Sequence, residues 1–129
     1  MKLIIAGSRD IHNEELVKDA LFESGFDIES ISEIITGQAD GVDEIGERIA
    51  NEFDIPFNDE FDYNQFMDEA EHPRQAPLLR NKAMADRGDA LLAVHNGSSG
   101  TMHMIKVARD RGLTIHEERV DISGLSDFS

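Results

Sequence analysis

Three glycine-bearing segments hold the residue types best suited to chemistry in this chain: Gly7-Ser8-Arg9-Asp10, Thr36-Gly37-Gln38-Ala39-Asp40-Gly41-Val42-Asp43 and Asn96-Gly97-Ser98-Ser99-Gly100-Thr101. Each follows a short apolar run, where a strand hands over to a helix. Glycine at such a junction lets backbone come close to a ligand, and the first N–H groups of the next helix lack intrahelical partners at the positive end of its dipole. That combination suits a phosphate. The third segment is the strongest candidate cradle, because Ser98, Ser99 and Thr101 add hydroxyl donors in a chain short of cations. The competing reading of each loop is a tight turn with a helix cap.

Charged residues sit among these loops. Arg9 is placed to pair a carboxylate or phosphate in bidentate fashion, or one of the many acids of the chain. Arg80-Asn81 lies inside the apolar helical stretch Leu78 to Ala85, where a buried arginine requires an anionic partner that a ligand phosphate would supply. On the outer helix face the same arginine would be solvated. Asp40 and Asp43 bracket Gly41 at a helix start, so they either cap the free N–H groups or bond ribose hydroxyls of a nucleotide. His95 and His103 flank the last loop, where each either reaches a ligand or faces solvent.

The positioning elements follow from periodicity. Lys2 to Ala6 reads as a strand, and Asn13 precedes a helical pattern through Leu16, Val17, Ala20, Leu21 and Phe22. Ile31 to Ile35 and the pattern Val42, Ile45, Ile49, Ala50 and Phe53 repeat the unit. Ile55-Pro56-Phe57 begins a weaker third strand, and the polar stretch Asp59 to Pro77 reads as a loop or lid. A helix from Leu78 to Arg87, a strand Ala90 to Val94, a helix through Met104, Ile105 and Ala108, and a strand Leu113 to His116 complete the series. The alternation implies an α/β class: a single Rossmann-like three-layer domain, residues 1–129, on a five-stranded parallel sheet, with 119–129 as a peripheral tail. In such sheets ligands bind outside the carboxyl ends of the strands, where strand order reverses, and all three loops fall on that edge.

Composition limits the function. The 129 residues carry 27 acidic against 12 basic side chains, a net charge of -15, which repels polyanions and argues against a nucleic-acid partner. Acids are spread over every segment and only four of the cations are lysine, as in a salt-adapted, halophilic surface. Zero cysteines remove disulfides and thiolate metal sites, the five histidines lack metal-ligand spacing, and no metal or cofactor is expected. No apolar run of about 18 residues is present, and the opening Met-Lys-Leu-Ile-Ile-Ala-Gly lacks a signal peptide's apolar region. A cytoplasmic protein without a membrane partner is expected.

Taken in order, Gly7-Ser8-Arg9-Asp10, Thr36-Gly37-x-Ala39-x-Gly41-x-Asp43, Arg80-Asn81-x-x-Met84-Ala85 and Gly97-x-x-Gly100-Thr101-x-x-Met104-Ile105 resemble the YspA-like branch of the SLOG superfamily, over residues 1 to about 118. These Rossmann-like proteins include the Lonely-guy phosphoribohydrolases, the DNA-processing protein DprA and sensors of nucleotide-derived signals. The resemblance implies a nucleotide-type ligand and, because relatives pair through their helices, leaves a homo-oligomer open. It also marks two departures. The Lonely-guy enzymes use a Glu three residues after the loop threonine, and here that position is Met104. Asp40 stands where relatives commonly carry a basic residue.

Two functional readings follow. One is a sensing or binding domain for a nucleotide or nucleotide-derived phosphate-bearing ligand, with Arg9 and Arg80 as anion partners. The other is a nucleotide-processing hydrolase of N-glycosidic or phosphate bonds, in which Asp10, Asp40 or Asp43 replaces the missing glutamate.

Overall fold

A computed structural model describes residues 1–68 and 70–120. The peripheral tail expected at 119–129 falls, from residue 121 onward, outside the described residues.

Five parallel strands form one sheet in the order β3-β2-β1-β4-β5, with β1 at Lys2–Gly7, β2 at Glu33–Ile35, β3 at Phe57–Asn58, β4 at Ala90–His95 and β5 at Thr114–Arg119. The central strands are apolar on both faces, which buries them between two layers of helices. Leu3, Ile5, Ile34, Leu92 and Val94 point one way, into a core closed by Val17 and Leu21 of α1 (Glu14–Glu23) and by Val42, Ile45 and Ile49 of α2 (Val42–Glu52). Their neighbours Ile4, Ala6, Ile35, Leu91 and Ala93 point the other way, against Met84 of α4 (Ala76–Arg87) and Met104, Ile105 and Ala108 of α5 (Ser99–Asp110). Period-two alternation thus divides one apolar strand between two cores. The domain is a Rossmann-like three-layer α/β fold.

Asn13 caps α1, its Oδ1 accepting from the Leu16 N–H at 3.3 Å. Differences from the expected elements are local. The third strand is displaced to Phe57–Asn58 and has only two residues, since Pro56 brings a carbonyl but no N–H to the ladder; that carbonyl accepts from Ile34 N at 2.9 Å. The segment 59–77 is more than a loop. It holds the short helix α3 (Tyr63–Met67), a 3₁₀ turn at Pro73–Gln75 and the first turn of α4, which starts at Ala76 with Pro77 in its first turn. Phe61 and Phe66 stack at 6.4 Å and pack on the α4–α5 core, so apolar burial fixes the segment that polar composition disguised.

Chain direction reverses its march across the sheet between β1 and β4. Helices α1 and α2 serve one face, α4 and α5 the other, so the loops leaving β1 and β4 diverge and open a crevice at the carboxyl edge.

Candidate functional site

The crevice holds a cleft of about 620 Å³, bounded by the loop after β1, the start of α2, the first two turns of α4 and the N-terminus of α5. Gly7, Arg9, Asp43, Arg80, Asn81, Ser98, Ser99, Gly100 and Thr101 all line it. The volume is within the range of small-molecule sites.

Its floor is the N-terminus of α5. Ser98 occupies the N-cap with suitable extended backbone, yet its side chain makes no capping bond. Its hydroxyl instead donates to Thr101 Oγ1 at 2.9 Å and lies 3.0 Å from Ser8 Oγ. Ser8 in turn donates to Asn96 Oδ1 at 2.8 Å and accepts from Asn96 N at 3.1 Å. Of the hydroxyls expected to hold a ligand, that of Ser98 is thus engaged with Thr101 and lies against Ser8, and Ser8 with Asn96 ties the first loop to the third, while the N–H groups of Ser99, Gly100 and Thr101 have no acceptor among the described residues. A twelve-residue helix presents an uncapped positive end to the cleft.

The lining is also cationic. Arg9, Arg74 and Arg80 converge on the cleft, with Asp10 and Asp43 the acids among them. Elsewhere Lys18, Arg48, Arg87, Lys106 and Arg111 each hold a carboxylate within 4.0 Å, but none of the three cleft arginines does so among the described residues. In a chain with 27 acids, three such arginines in one place make a local positive field.

Arg80 is the most constrained of the three, with 9% of its surface exposed. One terminal nitrogen, Nη1, donates to Gly37 O at 3.2 Å, whereas Nε is enclosed without an acceptor among the described residues. Gly37 is what permits this approach. A Cβ there would lie 2.9 Å from the Arg80 guanidinium and 2.9 Å from Asp43 Oδ2. Asp43, 5% exposed, accepts from Ala39 N at 3.3 Å. Burial pushes its pKa up to about 6, against the opposing pull of Arg80 and of backbone N–H groups. Burial likewise lowers the Arg80 pKa, with Asp43 opposing.

Other residues expected at the site lie behind it. Ser8 and Gly37 are buried, Gly41 takes φ +73° with its Cα against the carbonyls of Ser8 and Arg9, Asp40 faces solvent, and Gly97 lies outside the lining. Asn81 Nδ2 donates to Gly100 O at 3.2 Å and lies 3.1 Å from His103 Nδ1, tying α4 to the first turn of α5. His103 is thus half-buried beside Asn81, and its pKa is lowered by burial and by Lys82 and Lys106. His95 neither faces solvent nor lines the cleft; it is fully buried. Asp10 is exposed, and both its oxygens accept from Asn96 Nδ2 at 3.1 Å.

Arg74 is the lining cation that sequence reasoning missed, since it sits in the polar stretch after β3 and nothing in its neighbourhood marks it. Met104 lines the cleft with a thioether. Among the described residues no three His, Asp or Glu side chains cluster as a metal site, and no helix is long and apolar enough to cross a membrane.

The fold and cleft define a Rossmann-like domain with a crevice at its topological switch point. No family model matches the chain, and no curated protein is found to be similar to it.

Proposed function

We propose that this protein binds a nucleotide or nucleotide-derived, phosphate-bearing small molecule in the cleft between the β1 and β4 loops, as a sensing or binding domain of the SLOG type. The carrying observation is the pairing of two features in one cavity: the uncapped N-terminus of α5 and three arginines without carboxylate partners among the described residues. Each alone has a structural explanation. Lining one cleft in a chain of net charge -15, they supply the contacts a phosphate needs where the remaining surface would repel it.

Salt adaptation and a cytoplasmic setting belong to the same proposal, because the dispersed acids repel one another least where salt screens them. The test is a thermal-shift screen at high salt against nucleoside mono-, di- and triphosphates, cyclic nucleotides, NAD and ADP-ribose, with product analysis of every hit. A ligand at a hundred times its Kd stabilises the native state by about 2.7 kcal/mol. Arg80→Ala is expected to reduce that shift sharply while the variant still unfolds cooperatively. Full ligand affinity in the variant would exclude the proposed anion contact.

A second reading, hydrolysis of an N-glycosidic or phosphate bond, draws support from Asp43 alone. Asp10 and Asp40 are exposed, whereas Asp43 is a buried carboxyl on the cleft wall with a pKa of about 6, in the range where a general acid or base works. Product that forms with the native chain and disappears in Asp43→Asn, with binding retained, would select this reading.

A further inference from the structure

We infer that His95 and Glu117 form a clamp that positions the β4–α5 loop for anion binding, by holding a neutral imidazole between the β5 edge strand and the Gly97 amide. The inference rests on the anion-binding reading of the cleft and assigns a role to a buried histidine that does not line it.

His95 is the last residue of β4, and its side chain is fully buried. Nε2 lies 2.7 Å from Glu117 Oε2 on the neighbouring strand, and Nδ1 lies 2.9 Å from Gly97 N. These two partners fix the proton. The Gly97 amide can only donate, so Nδ1 must offer its lone pair; the single ring proton is then on Nε2, donated to the Glu117 carboxylate. Any other protonation state places two donors, or two lone pairs, against each other.

The residue being held favours glycine. Gly97 has φ +97°, a backbone conformation that strains any other residue, whereas the Arg119 Nη2 that a Cβ would meet at 2.7 Å ends a flexible side chain and can move aside. The loop base is also fixed through its backbone, with Val120 N donating to His95 O at 2.7 Å. One residue after Gly97 comes the N-cap Ser98, then the three free N–H groups that face the cleft. Edge strand β5 contributes nothing to the cleft lining, yet through Glu117 and His95 it sets where those N–H groups point.

This clamp differs from an electrostatic effect in sign. Glu117 is an anion near an anion site, so deleting its charge by itself strengthens binding. Loss of the clamp weakens it, because the freed imidazole can take the other tautomer and turn an N–H toward Gly97.

The experiment is nitrogen-detected NMR of the isotopically labelled native chain at pH 7.5, followed by sulfate and pyrophosphate titrations of native, Glu117→Ala and Glu117→Gln proteins. The native chain is expected to show an unprotonated Nδ1 and a protonated Nε2 on His95. Glu117→Ala is expected to shift the Gly97 amide and weaken both anions at least threefold, while Glu117→Gln, whose amide oxygen still accepts from Nε2, restores the amide position and the affinity. A protonated Nδ1 overturns the clamp, as do affinities in Glu117→Ala equal to or tighter than native. A native chain that binds neither anion overturns the anion-site reading instead, and the His95 tautomer and Gly97 shift then report on the clamp by themselves.

Discussion

At the residue scale the site turns on how Gly37 lets an arginine and an aspartate share one wall. With no Cβ at 37, the Arg80 guanidinium reaches the Gly37 carbonyl and the Asp43 carboxylate stays within the turn, but the two do not meet within 4.0 Å. Both charges are therefore buried without full compensation from each other, which is costly. Asp43 shows this in its raised pKa, about 6 against an ordinary 3.8. The folded state holds that proton more tightly than the unfolded chain. The group's contribution to stability is thus fully present below about pH 4 and is lost as pH rises through about 6. At about 1.36 kcal/mol for each pH unit between those two values, the upper limit of the effect is about 3 kcal/mol. Asp43→Asn keeps an oxygen for the Ala39 N–H and removes the ionisation. Urea unfolding should find it more stable than the native chain at pH 8 and nearly equal at pH 4; a variant less stable at pH 8 would show that the carboxylate is compensated. Sulfate, which stays a dianion across this range, should bind the native protein more tightly as pH falls through 6, and Asp43→Asn with little pH dependence.

At the element scale α5 gives up helix stability that an ordinary cap would supply. Ser98 is among the preferred N-cap types and has the extended backbone of that position, yet its hydroxyl is committed to Thr101 and Ser8. Ser98→Asp puts a carboxylate against the free N–H groups. Its expected effects have opposite signs: stability rises by about 0.5–1 kcal/mol through capping and the dipole, while sulfate affinity falls because the carboxylate occupies the anion's place. Thermal unfolding with and without sulfate reads both, and a helix end unconnected with ligands would show the stability gain alone. Elements of this kind were readable in the sequence because they are local: β1 and β4 are apolar runs, α2 has a strong 3.6 period, and the loops between them carry glycine and serine. The fold and the carboxyl-edge location of the cleft followed. What the sequence hid was non-local. Phe61 stacks on Phe66 within a polar segment, and the turn that follows it before α4 carries Arg74 to the cleft. Buried His95 has its Nε2 partner in Glu117, 22 residues away across the sheet. Neither contact has a period or a spacing that a one-dimensional reading detects.

At the scale of the whole molecule, net charge and local charge oppose each other. A charge of -15 on 129 residues sets up self-repulsion that strains the compact state, and it also repels an approaching phosphate from every direction except the arginine-lined cleft. Salt acts on both effects. Raising ionic strength from 0.1 to 1 M shortens the screening length from about 10 to 3 Å, which relieves repulsion between exposed acids and weakens long-range attraction within the cleft. The native state is therefore expected to gain roughly 5 °C in Tm between 0.1 and 1 M KCl, about 1 kcal/mol for a domain of this size, while sulfate affinity declines. That decline should be incomplete. Arg9 and Arg74 are exposed and lose most of their pull to screening, but Arg80 and the α5 N–H groups act at hydrogen-bond distance in a partly desolvated cleft. Arg80→Ala should consequently show a steeper fractional loss of sulfate binding with salt than Arg74→Ala. Calorimetric titrations of the two variants at both salt concentrations decide it, and equal salt slopes would place the affinity in the diffuse field of the cleft instead of in contacts made by Arg80.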